Sequence, residues 1–90
     1  MKKVSLIVQN EEGLHARPVT IFVNAASSFK SNITVIKNSN PDKVYVGKSI
    51  ISLMSMAASK GDEITIIADG EDEESAVMNL QCVVEGGFSS

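Results

Sequence analysis

His15 is the only histidine among 90 residues, and Arg17 follows it in the run Gly13-Leu14-His15-Ala16-Arg17-Pro18. A neutral imidazole is a nucleophile, and its unperturbed pKa of about 6.5 leaves much of it competent near neutral pH. The arginine guanidinium is a planar fork that can hold two oxygens of a phosphate. The pair therefore points to phosphoryl chemistry, with a nitrogen that takes the group beside a cation that steadies it. Each residue alone has a plainer reading, His15 as a surface or capping residue and Arg17 as a solvated charge. Ser49 heads the apolar run Ile50-Ile51-Ser52-Leu53-Met54, where its own plain reading is a residue that caps or begins a helix.

Two kinds of local structure must meet at His15. Val4, Leu6 and Val8 alternate with Lys3, Ser5 and Ile7, a period of two that predicts a strand over 2–8. From Ala16 onward, Val19, Phe22, Val23, Ala26 and Phe29 fall at helical spacing, which predicts a helix over 16–28. Pro18 suits the first turn of that helix, where its missing N–H costs nothing. His15 thus stands at a helix entrance, whose unpaired N–H groups and partial positive charge favour anions.

The rest of the chain continues the alternation. β-Branched residues predict strands over 32–37 and 43–46, joined by the turn residues Asn38-Ser39-Asn40-Pro41-Asp42. Ile50, Leu53, Met54 and Ala57 predict a short helix over 49–58, and Asp62-Glu63-Ile64-Thr65-Ile66-Ile67-Ala68 predicts a fourth strand. Glu71-Asp72-Glu73-Glu74 places carboxylates at the positive end of a third helix. Ala76, Val77, Leu80, Val83 and Val84 give that helix its apolar stripe, and Gly86-Gly87 ends it. The order is β-α-β-β-α-β-α. It predicts an α+β open-faced sandwich, a four-stranded antiparallel sheet covered on one face by three helices, as a single domain of residues 1–90.

Composition narrows the function classes. The net charge of −3 argues against nucleic-acid partners, which need a basic footprint. No stretch is long and apolar enough for membrane insertion, and the N-terminus lacks the pattern of a signal peptide. Cys82 is the single cysteine, so no intrachain disulfide can form, and a reducing, cytoplasmic setting is expected. Cys82 itself is expected to pack in the core. No cluster of metal ligands is present in the sequence, and no cofactor is called for.

The hexapeptide around His15 resembles the active-site motif of the HPr family, phosphocarriers of the bacterial phosphoenolpyruvate-dependent sugar phosphotransferase system. Gly47-Lys48-Ser49-Ile50-Ile51-Ser52-Leu53-Met54-Ser55-Met56 resembles the regulatory-serine region of the same family. The resemblance covers nearly the whole chain. It implies that His15 accepts a phosphoryl group on Nδ1 from enzyme I and delivers it to sugar-specific IIA domains. Arg17 and the backbone N–H groups of Ala16 and Arg17 would then hold the phosphate. Ser49 matches the serine modified by an HPr kinase/phosphorylase in Gram-positive members, where the product serves a catabolite-control transcription regulator. Thr20, Ile50, Ile51 and Met54 match the docking surface for partner proteins. A monomeric carrier, rather than a stand-alone enzyme, is the expectation.

Two departures from the family pattern stand out. The interval from His15 to Ser49 is a few residues longer, which places the extra length in the turn at 38–42. Ser52 stands where Gram-positive relatives often have glycine, which bears on kinase recognition of Ser49. Two other readings are a carrier of the nitrogen-related branch and a small hydrolase. The hydrolase lacks a second histidine and a convincing general acid.

Overall fold

The computed structural model describes residues 1–9, 11, 13, 16–38, 40 and 42–86. In chain order it contains β1 (Lys2–Ile7), α1 (Ala16–Ser27), β2 (Asn32–Lys37), β3 (Val44–Val46), α2 (Ile50–Met56), β4 (Glu63–Asp69) and α3 (Glu73–Glu85). All four strands join one antiparallel sheet in the order β1-β4-β2-β3. The predicted fold class is the observed one.

Register explains which face is buried. Val4 pairs with Ile66, Ile66 with Val35, and Val35 with Tyr45, so one row of apolar side chains crosses all four strands. Ile64, Ala68 and Ile33 lie on the same face, as the period of two requires. The helices cover that face. Val19, Phe22, Val23 and Ala26 of α1 and Ala76, Leu80 and Val84 of α3 complete the core. The opposite face carries Ser5, Thr65, Ile36 and Val44 in the adjacent row, and the hydroxyls of Ser5 and Thr65 lie 2.9 Å apart across β1 and β4.

Two expectations need correction, the length of the second helix and the place of Cys82. The second helix is shorter than 49–58: Ser49 is its N-cap, and Ala57 ends it in the left-handed region at φ 53° with its N–H bonded to Met54 O. Its buried stripe is Leu53 and Met56, whereas Ile50, Met54 and Ala57 face outward. Cys82 is exposed. Leu80 and Val84 on either side of it are fully buried, and two residues along a helix is a rotation of about 200°, which turns the thiol away from the core.

Lys37 is the unusual member of the inner face. It is in register with Ile64, which itself pairs with Leu6. Its ammonium escapes burial by reaching Met56 O at 3.2 Å and Ala57 O at 3.3 Å, the C-terminal carbonyls of α2, and lies 3.8 Å from Asp62. A cation there suits the negative end of the helix.

Candidate functional site

Helix α1 begins at Ala16, the residue that follows His15 in the chain. His15 and Leu14 lie outside the described residues. Helix geometry leaves the N–H groups of Ala16 and Arg17 without intrahelical acceptors, which makes this end of α1 a donor site for anions. Pro18 is buried in the first turn, while Ala16, Arg17 and Thr20 are exposed. Thr20 donates its hydroxyl to Ala16 O at 2.7 Å. Ala16, Arg17, Thr20 and Ile21 line an open cleft of about 530 Å³. The Arg17 guanidinium makes no ion pair or hydrogen bond within the described residues, so its donors are uncommitted.

The approach to this end of the helix is tightly seated. Gly13 is buried at φ 66°, a conformation that glycine adopts without the clash a Cβ introduces. A Cβ on it would stand 2.6 Å from Ala58 O and 3.0 Å from Ser59 Cα. The segment on which Gly13 rests is itself tied down, because Ser59 N–H donates to Asp62 Oδ2 at 2.8 Å. That bond, foremost among several contacts, holds the Asp62 carboxyl below its ordinary range.

At its N-terminus α2 is capped by Ser49, whose Oγ accepts the N–H of Ser52 at 3.2 Å. Ser52 Oγ in turn accepts the N–H of Val46 at 2.8 Å, which pins the helix start to the end of β3. Gly47 lies between them because a Cβ would stand 2.4 Å from Ile33 Cγ2. With Leu53 and Met56 buried, Ile50 (41%), Ile51 (83%) and Met54 (44%) are left exposed. Since α1 packs against α2, the apolar patch belongs to the layer that also carries Arg17 and Thr20.

Asp72 steadies the far end of α1. It is the N-cap of α3 but makes no side-chain cap bond there. Its carboxylate instead accepts from Lys30 N–H at 2.8 Å and from both the N–H and hydroxyl of Ser31. The Ser31 hydroxyl, then the Lys30 N–H, lower its carboxyl to about 2. The neighbouring Glu73 accepts the Gly70 N–H at 3.3 Å and pairs with the N-terminal ammonium at 2.6 Å. The acidic run marks a helix start in the sequence, but nothing local announces the partners at 30 and 31. Gly13, Lys37 and Ser52 were equally silent as positioning residues.

Residues 2–86 match the family model PTS-HPr, described as the PTS HPr component phosphorylation site. The phosphocarrier protein HPr of Mycoplasma capricolum is 43% identical over 81 residues, which cover 90% of this chain and 88% of that protein. Among solved structures, HPr-C-His from Thermoanaerobacter tengcongensis superposes with a TM-score of 0.91 at 39% identity, covering 100% of this chain and 98% of that one. An HPr dimer from the same organism is similar over the full length of both chains, with a TM-score of 0.75 and 39% identity. With the sheet order, the helix entrance and the family match in agreement, the chain belongs to the HPr family of phosphotransferase-system phosphocarriers.

Proposed function

We propose that the chain, working as one monomeric domain in the cytoplasm, carries a phosphoryl group on His15 from enzyme I to sugar-specific IIA domains. The observation that carries the reading is the uncommitted Arg17 guanidinium on the first turn of α1, beside an open cleft and two residues along the chain from the only histidine. A ring nitrogen of neutral His15 attacks the phosphorus held by enzyme I. The N–P bond forms as the bond to enzyme I breaks, and the same exchange in the other direction loads the IIA domain. The N–H groups of Ala16 and Arg17 and the Arg17 side chain neutralise the transferring oxygens. Each helix-end interaction is worth about 0.3–1 kcal/mol when exposed, enough to steady the group and too little to trap it. Thr20, Ile50, Ile51 and Met54 form the surface on which both partners dock.

Incubation with phosphoenolpyruvate and enzyme I yields an acid-labile phosphohistidine that disappears in His15→Ala. Label retained in that variant, or found on another residue, overturns the reading. Sedimentation of the phosphorylated and free forms tests the monomer against the pairing seen in the related dimer.

A second reading concerns Ser49, favoured by its position as the half-buried N-cap of α2 next to exposed Ile50 and Ile51. An HPr kinase/phosphorylase places a phosphate on Ser49, where the helix end tolerates the charge and the docking patch does not. The modified chain then serves a catabolite-control transcription regulator. Mass spectrometry after treatment with ATP and the kinase detects a phosphate on Ser49 if the reading holds; an unmodified serine counts against it.

A further inference from the structure

Residues 58–62 hold both ends of the segment that leads from β1 towards α1. At its near end, Val8 N–H donates to Asp62 O at 2.9 Å, and Val8 O accepts the Gly61 N–H at 2.9 Å. Val8 itself is fully buried. At its far end, Gly13 lies so close to Ala58 O and Ser59 Cα that a Cβ would not fit. Residues 8 and 13 are thus fixed to one platform. His15 follows Gly13 by two residues and directly precedes the start of α1.

Asp62 closes the platform twice. Its N–H donates to Ser59 O at 2.9 Å, a turn bond that any residue except proline can make. Its carboxylate accepts the Ser59 N–H at 2.8 Å, which requires a side-chain acceptor at 62. Lys37 braces that carboxylate from β2, with its ammonium 3.8 Å away and also donating to Met56 O and Ala57 O. The Lys37 and Asp62 side chains are 30% and 28% exposed, so salt screens the pair less than it would on an open surface. Ala58 lies between the two anchored residues, Ala57 and Ser59. Its side chain is buried, and its carbonyl is the atom that meets Gly13.

We infer that Asp62 is a positioning residue for phosphoryl transfer: by holding Ser59 it sets the place of Ala58 O, hence of Gly13 and of the histidine two residues on. This rests on the reading of His15 as the phosphoryl acceptor. Asp62 acts on the alignment of the acceptor, where a misplacement of about 1 Å can cost roughly a hundredfold in rate. Ile50, Ile51 and Met54 are not part of the platform, so docking should be unaffected.

The test takes the full chain through two measurements, amide chemical shifts and rapid-quench transfer from phospho-enzyme I. Asp62→Ala should move the amide signals of Gly13, Ala16 and Arg17 as well as that of Ser59. It should lower the limiting transfer rate roughly tenfold while leaving the half-maximal concentration near the parent's. Asp62→Asn keeps a carbonyl acceptor for Ser59 and should restore most of the rate. Asp72→Asn, at the opposite end of α1, controls for lost stability and should transfer as fast as the parent. Unmoved signals at Gly13, Ala16 and Arg17, an unchanged limiting rate, a loss seen only in the half-maximal concentration, an asparagine variant as slow as the alanine one, or an equal loss in Asp72→Asn each overturn the proposal. A parent that takes up no more phosphoryl than His15→Ala overturns the carrier reading and this role with it, an outcome distinct from a parent that transfers normally beside an equally fast Asp62→Ala.

Discussion

Asp72 Oδ1 accepts two hydrogen bonds from Ser31, 2.9 Å from its N–H and 2.5 Å from its hydroxyl, across 41 residues of chain. This carboxylate joins the start of α3 to the segment that leaves α1, and it does so most strongly while ionised.

Its protonation therefore sets a pH dependence of stability. The folded carboxyl titrates at about 2 against an ordinary 3.8, so its contribution is complete above the ordinary value and is lost as pH falls through the folded one. Denaturant midpoints measured down this acid range should fall more steeply for the parent than for Asp72→Asn, which should also be less stable at neutral pH. Parallel curves would show that the contact carries no stability.

Gly13→Ala should destabilise the chain by about 1–3 kcal/mol, the cost of a left-handed non-glycine residue, with the approach to Ala58 O adding to it. Phosphoryl acceptance by His15 should slow in the same variant, since the turn leading to the histidine loses its seat. A variant as stable and as fast as the parent would deny Gly13 that role.

Leu53 and Ile51 are two residues apart on α2 and should behave oppositely. Leu53→Ala removes a side chain that is 1% exposed and should cost about 2–5 kcal/mol in equilibrium unfolding. Ile51→Ala, at 83% exposure, should change stability by no more than about 0.5 kcal/mol while raising the concentration of enzyme I needed for half-maximal phosphorylation. Equal effects on both measurements would mean that α2 does not divide into a core side and a docking side.

Loss of the N-cap makes Ser49→Ala less stable by about 0.5–2 kcal/mol, and Ser49→Asp, which can cap equally well, should recover most of it. Thermal unfolding of the two variants checks this, and an alanine variant that melts with the parent would show that the Ser52 N–H finds its acceptor elsewhere.

How far the sequence reveals the molecule varies with the element. Val19, Phe22, Val23 and Ala26 declare the buried side of α1 because twelve residues sample the helical period more than three times. In α2 only seven residues are helical, and a stripe through Ile50, Leu53, Met54 and Ala57 fits the spacing as well as the observed one through Leu53 and Met56; packing against the sheet decides between them. Cys82 was legible but misread, since its offset from Leu80 and Val84 already turns it outward. Arg17 was visible as chemistry through its distance from His15. The Asp72 bonds to 30 and 31 and the Gly13 seat on Ala58 were not, because both join distant parts of the chain and leave no local period.

The strand order carries a consequence for how the chain folds. β1 sits at the sheet edge with β4 as its sole strand neighbour, and their partners Ser5 and Thr65 are 60 residues apart. Closing so long a loop costs entropy that only the finished pairing offsets, which slows folding relative to a helical bundle of equal size. During synthesis β1 waits without its strand partner until β4, far along the chain, has followed it.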